Sequence, residues 1–277
     1  MQRFWILPAL AVVVACMEAQ AQRPQMAAGQ AQQLETVLKS NPDDRAARSA
    51  LLDYYFLNAS LAPAVALPAR RRHILWLIEN MPADELAGGP SATIDPTGHR
   101  LADPQGFALA GAAWRQQTSK PGASAATLAN AAYFFKLSDK PFTVALLERA
   151  AALEPGNKEI AGRLGDEYAL AIMGVSMVNL NGFPLASDPA QTQSALARQA
   201  REALTISRNP YVLAKAGYML SFQGAILRGS GKLAFDPAPL AENALQRAVS
   251  LAPGDADVAN YLEQHRAIQR DIQNAKK

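Results

Sequence analysis

The chain predicts an all-α protein built as a solenoid of antiparallel helix pairs, about eleven helices in all. Three observations carry this. Hydrophobic residues make up 49% of the sequence and are largely Ala and Leu, which favour helix, and runs of alternating Val, Ile and Thr are absent, so little or no sheet is expected. Apolar residues recur at three- and four-residue steps in segment after segment, the signature of one buried helical face. Pro42, Pro82, Pro121, Pro155, Pro210 and Pro253 then punctuate the chain at intervals of 34 to 55 residues.

The stretch from Lys140 to Met173 shows the pattern at its cleanest. Val144, Leu147, Ala150, Ala151 and Leu153 share one helical face, and Ile160, Leu164, Tyr168 and Ala171 share another. Between them Pro155 and Gly156 end the first helix, and Asn157 is placed to cap the second. A helix pair with a single apolar face cannot bury that face alone and must stack on neighbours. In its Leu164-Gly165 followed by Tyr168, and in Ala150 five residues before Pro155, this stretch resembles the tetratricopeptide repeat, an array of roughly 34-residue antiparallel helix pairs. The same spacing returns at Leu51 and Tyr55, and at Ala241, Leu245 and Ala248 before Pro253. The resemblance covers most of residues 30–274, with one departure: Asn130 and Ala131 stand where Leu-Gly would be expected. It implies a superhelix whose groove holds an extended peptide or a partner helix.

Taken in order, residues 1–21 read as an export signal. Arg3 supplies the positive start, and the apolar run Phe4 to Ala15 is too short to span a membrane. Ala19-Gln20-Ala21 is a small-x-small cleavage site that would leave Gln22 first. A competing reading is that Val13-Val14-Ala15-Cys16 resembles a bacterial lipobox, with lipidation at Cys16; an uncleaved anchor is the third. Cys16 is the one cysteine, so either cleavage leaves no disulfide to stabilise the fold. Residues 22–29 form a Gln-rich lead-in to a single helical domain, 30–275. Its first helix runs from Gln30 to Ser40. The second follows Asp43-Asp44, whose charges suit a helix N-terminus, and carries Ala47, Leu51, Leu52, Tyr55 and Phe56 inward.

Asn58 to Pro68 reads as a linker with Pro63 and Pro68, so the next helix is expected over 69–80 with Arg70, Arg71 and Arg72 in its first turn. The helix dipole disfavours cations there. An insertion over 83–103 comes next, where Gly88, Gly89, Pro90, Pro96 and Gly98 forbid a long helix. Helices are then expected at Pro104 to Thr118 and Ser124 to Leu137, before the central pair. A second insertion, 174–188, precedes helices at Pro189 to Ser207, Tyr211 to Arg228 and Leu240 to Leu251. The polar segment after Asp255 suits a terminal cap.

The net charge of +3 and pI near 9.0 come from cations interspersed with acids, which does not point to nucleic acid. No metal, cofactor or nucleophile motif is present, so no enzyme, metal or cofactor is expected. The expected function is an exported scaffold or interaction module in the periplasm or at the outer membrane, with protein partners, touching the membrane only through a lipid on Cys16. Arg70, Arg71 and Arg72 are the candidate partner contacts, since guanidinium groups match carboxylate and phosphate geometry; solvation, or pairing with Asp53 or Asp84, is the alternative. Two other functions stay open: a hydrolase of envelope polymers using His99 and Asp95, and a structural spacer.

Overall fold

A computed structural model describes residues 26–96, 102–175, 177–178 and 184–275. The export segment with Cys16, and His99, lie outside the described residues. Eleven α-helices are present among those described: α1 (Ala28–Ser40), α2 (Arg45–Asn58), α3 (Pro63–Asn80), α4 (Pro104–Ser119), α5 (Ala125–Phe135), α6 (Lys140–Leu153), α7 (Lys158–Ile172), α8 (Ala195–Ile206), α9 (Pro210–Gly229), α10 (Ala238–Leu251) and α11 (Ala256–Asn274). Two short antiparallel strands, β1 (Met177–Val178) and β2 (Pro184–Ala186), pair within the second insertion. The fold is all-helical apart from this ribbon.

Every substantial contact between described helices joins neighbours in the chain or next-but-one neighbours. The most extensive are α7 with α9 and α9 with α10. The core is continuous from α2 to α11, with a smaller cluster of Ala31, Leu38, Ala47, Leu51 and Tyr55 joining α1 to α2 and α3. Leu51, Tyr55, Leu147, Ala150, Leu164, Tyr168, Ala241, Leu245 and Ala248 are all buried, as is Gly165.

Eight of the described helices start with a side chain accepting from a first-turn N–H group: Asp103, Asp139 and Ser194 cap α4, α6 and α8, and the other five align with one another. Asp44 caps α2, Ser124 α5, Asn157 α7, Asn209 α9 and Asp255 α11. Counting from each cap aligns the helices. The seventh residue is Leu51, Ala131, Leu164, Ala216 and Leu262, buried in all five. In the first four the eighth is Leu52, Ala132, Gly165 or Gly217, and the eleventh Tyr55, Phe135, Tyr168 or Leu220. That eleventh residue meets the residue 20 before it in three of those helices: Tyr55 donates to Glu35 at 2.8 Å, Tyr168 to Glu148 at 2.7 Å, and the Arg115 guanidinium lies 4.8 Å from the Phe135 ring centroid. The unit after Pro121 therefore keeps the pattern with Ala131-Ala132, one residue later than the sequence register placed it.

One expectation is corrected. The helix expected over 69–80 begins at Pro63, which occupies its first turn where a proline's missing N–H costs nothing. Pro68 is exposed and forfeits one bond, yet the helix continues because Ala66, Ala69, Ile74, Leu77 and Ile78 bury one face. The three arginines thus sit mid-helix, and the dipole argument does not apply to them. The described part of the first insertion carries buried apolar residues, Leu86, Ala87, Ala92 and Ile94, around a short 3-10 turn at Pro90–Ala92.

Candidate functional site

The arginines expected to meet a partner are committed within the chain. Arg70 is 2% exposed. It donates to the Ser91 carbonyl from Nε at 3.1 Å and Nη2 at 2.8 Å, and to the Thr93 carbonyl. Arg71 forks onto both Asp103 oxygens at 2.8 and 2.6 Å, and Asp103 caps α4. Arg72 donates to Glu35 at 2.7 Å with its side chain 60% exposed. Asp84, the partner weighed from sequence, pairs instead with Arg45 at 2.7 Å. The described flanks of the first insertion are therefore pinned from α2, α3 and α5, the last through Asn130, which donates to the carbonyls of Pro82 and Asp84.

A different surface gathers partly exposed aromatic and charged side chains. Counting again from the caps, the sixth and ninth residues are Arg163 and Asp166 on α7, Lys215 and Tyr218 on α9, with Tyr133 ninth on α5 and Tyr261 sixth on α11. Contacts link them into one ribbon across four helices. The Arg163 guanidinium lies 6.0 Å from the Tyr133 ring centroid, and Lys136 lies 3.7 Å from the same ring. Lys215 Nζ stands 3.9 Å from Asp166, and 5.7 and 5.9 Å from the Tyr218 and Tyr261 rings. Tyr218 stacks on Tyr261 at 4.8 Å and on Phe222 at 5.9 Å. Sequence reasoning missed this ribbon. The caps, once aligned, are the signal that finds it.

The helices approach closely beneath the ribbon. A Cβ at Gly165 would lie 2.7 Å from the Val212 carbonyl oxygen and 2.9 Å from the Ala216 nitrogen, and one at Gly217 would meet Leu245 at 2.6 Å. These glycines let α7, α9 and α10 pack tightly enough to bring α7, α9 and α11 residues into one surface.

Asp166 is the electrostatic oddity of the ribbon. Its Oδ1 is buried without a hydrogen-bond partner, and burial pushes the carboxyl up to about 7, with Lys215 opposing and Glu167 adding to the shift. The folded chain therefore holds a proton that the unfolded chain releases near 3.8. Stability falls as pH rises through that window, since the folded state binds more protons. Asp166→Asn removes the slope: urea titrations should find the variant more stable than wild type at about pH 8 and equal to it at about pH 3. The buried His73 and His265, both held below their ordinary range by burial, titrate alike in both proteins and cancel from the comparison. Equal midpoints at the higher pH would remove Asp166 as a strained group.

No group of His, Cys, Asp and Glu among the described residues is arranged to hold a metal ion, and no described helix is long and apolar enough to cross a membrane. Comparison with known proteins finds no family model that matches the chain and no similar curated protein or solved structure.

Proposed function

We propose that the protein is a tetratricopeptide-like solenoid and works as an exported binding module. A segment of a partner protein, an extended peptide or a helix, lies along the ribbon from Tyr133 to Tyr261. The observation that carries the reading is the continuity of that ribbon across α5, α7, α9 and α11, on helices capped and aligned in one register. Tyr side chains offer large, rigid contact area at low entropic cost, and partly exposed Tyr and Arg are the residue types that dominate interface energies. Lys215, Arg163 and Asp166 add both signs of charge, which favours register and specificity over bulk affinity. A bare structural spacer has no use for such clustering. The export setting rests on Arg3 and the apolar run after it, with cleavage after Ala21 or lipidation at Cys16 as the two routes to the envelope.

Site-specific photocrosslinking in the native envelope tests this. A photoreactive residue replacing Tyr218 or Tyr261 should capture one common partner. The same residue at Leu153, which is 57% exposed and outside the ribbon, should not. Lys215→Gln, which removes the charge without placing a second acid beside Asp166, should weaken capture at both ribbon positions, with circular dichroism confirming the wild-type fold. Equal labelling at all three positions, or none from folded protein, would remove the ribbon as the docking surface.

A further inference from the structure

Helices α1 and α3, with Arg48 and Tyr55 of α2, line an open groove of about 990 Å³. None of its residues belongs to the ribbon, so a ligand in this groove is independent of a partner on that surface. Its polar lining is a linked cluster. Glu35 Oε1 accepts from Tyr55 at 2.8 Å, His73 Nε2 at 3.1 Å and Arg72 at 2.7 Å. His73 Nδ1 lies 3.2 Å from Arg48 Nη1. A guanidinium only donates, so Nδ1 is the acceptor and the imidazole proton sits on Nε2, facing Glu35. The neutral ring is thus fixed in one tautomer, and burial holds its pKa below the ordinary value despite the Glu35 hydrogen bond.

Arg48 is the unusual member. It is 4% exposed, its guanidinium carbon lies 3.5 Å from the Trp76 ring centroid, and its other bond goes to the Pro42 carbonyl. Its Nε has no partner. No described carboxylate lies within ion-pair distance of it, Glu35 being engaged by Arg72 and His73; the charges of Asp43 and Glu35 offset its burial only in part. A buried cation without a paired anion is costly. The groove therefore carries a surplus of donors: the free N–H groups of Arg48, those of Arg72 that Glu35 does not engage, and Lys39, which has no acceptor among the described residues. Against these stand the second oxygen of Glu35 and the carboxylate of Glu79. Beside the cluster the lining is apolar, at Leu38, Val65 and Leu75. A volume of this size suits a small organic molecule rather than a bare ion.

We propose that this groove binds a small organic anion, its oxyanion head taken by Arg72 and the Arg48 guanidinium and its apolar body lying along Leu38, Val65 and Leu75. A carboxylate and a phosphate ester share the chemistry that matches the arginine fork. The ligand would supply the acceptors that the cluster lacks.

Calorimetric titration of the full chain with hexanoate, hexyl phosphate and inorganic phosphate, each against sodium chloride of equal ionic strength, tests the proposal. Saturable binding of hexanoate or hexyl phosphate is expected, the tighter of the two identifying the head group. Arg72→Gln, an exposed change, should weaken it by about tenfold, and Val65→Glu, which places a charge on the apolar wall, by at least that much. Arg48→Met should abolish it; where that variant fails to fold, the two exposed variants carry the test. Binding of inorganic phosphate alone would overturn the organic ligand, and binding undiminished in Arg72→Gln and Val65→Glu would overturn the site. So would the absence of saturable binding of either organic probe to folded wild type up to about 10 mM.

Discussion

Gly165→Leu should destabilise the protein by about 1–3 kcal/mol, while Gly162→Ala, one helical turn earlier, should be neutral or slightly stabilising. The difference lies in what each new side chain meets. At Gly165 a Cβ would press on the Val212 carbonyl and the Ala216 nitrogen, which are backbone atoms of α9 and cannot rotate away. Relief requires α7 and α9 to separate, and theirs is among the most extensive helix contacts in the fold. At Gly162 the nearest atom is the Lys215 Cγ at 3.8 Å, an ordinary contact with the stem of a flexible side chain. Replacing that glycine mainly removes backbone freedom from the unfolded chain. Urea midpoints of the two variants check the pair. A Gly165→Leu midpoint no lower than that of Gly162→Ala would remove the close approach of α7 to α9 as the constraint on Gly165. Loss at Gly165 should also loosen the contact between Lys215 and Asp166, so partner capture at Tyr218 would weaken along with stability.

The hairpin of α6 and α7 was legible almost to the residue, because its breaks are local. Pro155 and Gly156 stop one helix, and Asn157 accepts from Glu159 and Ile160 to start the next at 3.1 Å each. The start of α3 was misread for a local reason too. Pro63 with Pro68 close behind it resembles a linker, but a proline in the first turn is also how a helix begins, and pattern alone does not separate the two. The register of α5 slipped by one because Asn130 was counted in place of Ala131. Asn130 serves the insertion, not the helix contact. The ribbon was illegible for a deeper reason: Asp166 and Lys215 meet only because α7 and α9 pack side by side across the intervening β ribbon and α8. The same holds for Arg48 and Trp76, and for the bonds from Arg70 to an insertion some twenty residues on. Nothing local encodes these meetings. What the sequence also held was a common register for the capping residues Asp44, Ser124, Asn157, Asn209 and Asp255, from which the shared positions can be counted.

The three adjacent arginines should separate sharply by mutation, with Arg70→Met the most damaging substitution considered for this chain. Arg70 is 2% exposed, its guanidinium spanning the carbonyls of Ser91 and Thr93, with the Phe56 ring centroid 5.4 Å away. Burial pulls its pKa down to about 10, opposed by the charges of Asp95 and Asp103, so it stays charged at neutral pH. Methionine keeps the apolar stem but leaves two inward-facing carbonyls unbonded, and a loss of about 3–5 kcal/mol is expected. Arg71→Ala strips a bidentate partner from the α4 cap and should cost about 1–3 kcal/mol. Arg72→Ala removes an ion pair with a side chain 60% exposed and should cost less than about 1 kcal/mol. Hydrogen exchange gives the location: in Arg70→Met the amides around Leu86 to Ile94 should exchange faster, while those of α9 to α11 keep their wild-type rates. Exchange unchanged over that segment, or equal losses for Arg70→Met and Arg72→Ala, would undo the assignment of Arg70 as the anchor of the insertion. The ordering also bears on function. Removing all three arginines together would disturb the fold before it disturbed a surface, so a partner lost by such a variant would locate nothing, whereas Lys215→Gln reports on the ribbon with the anchors in place.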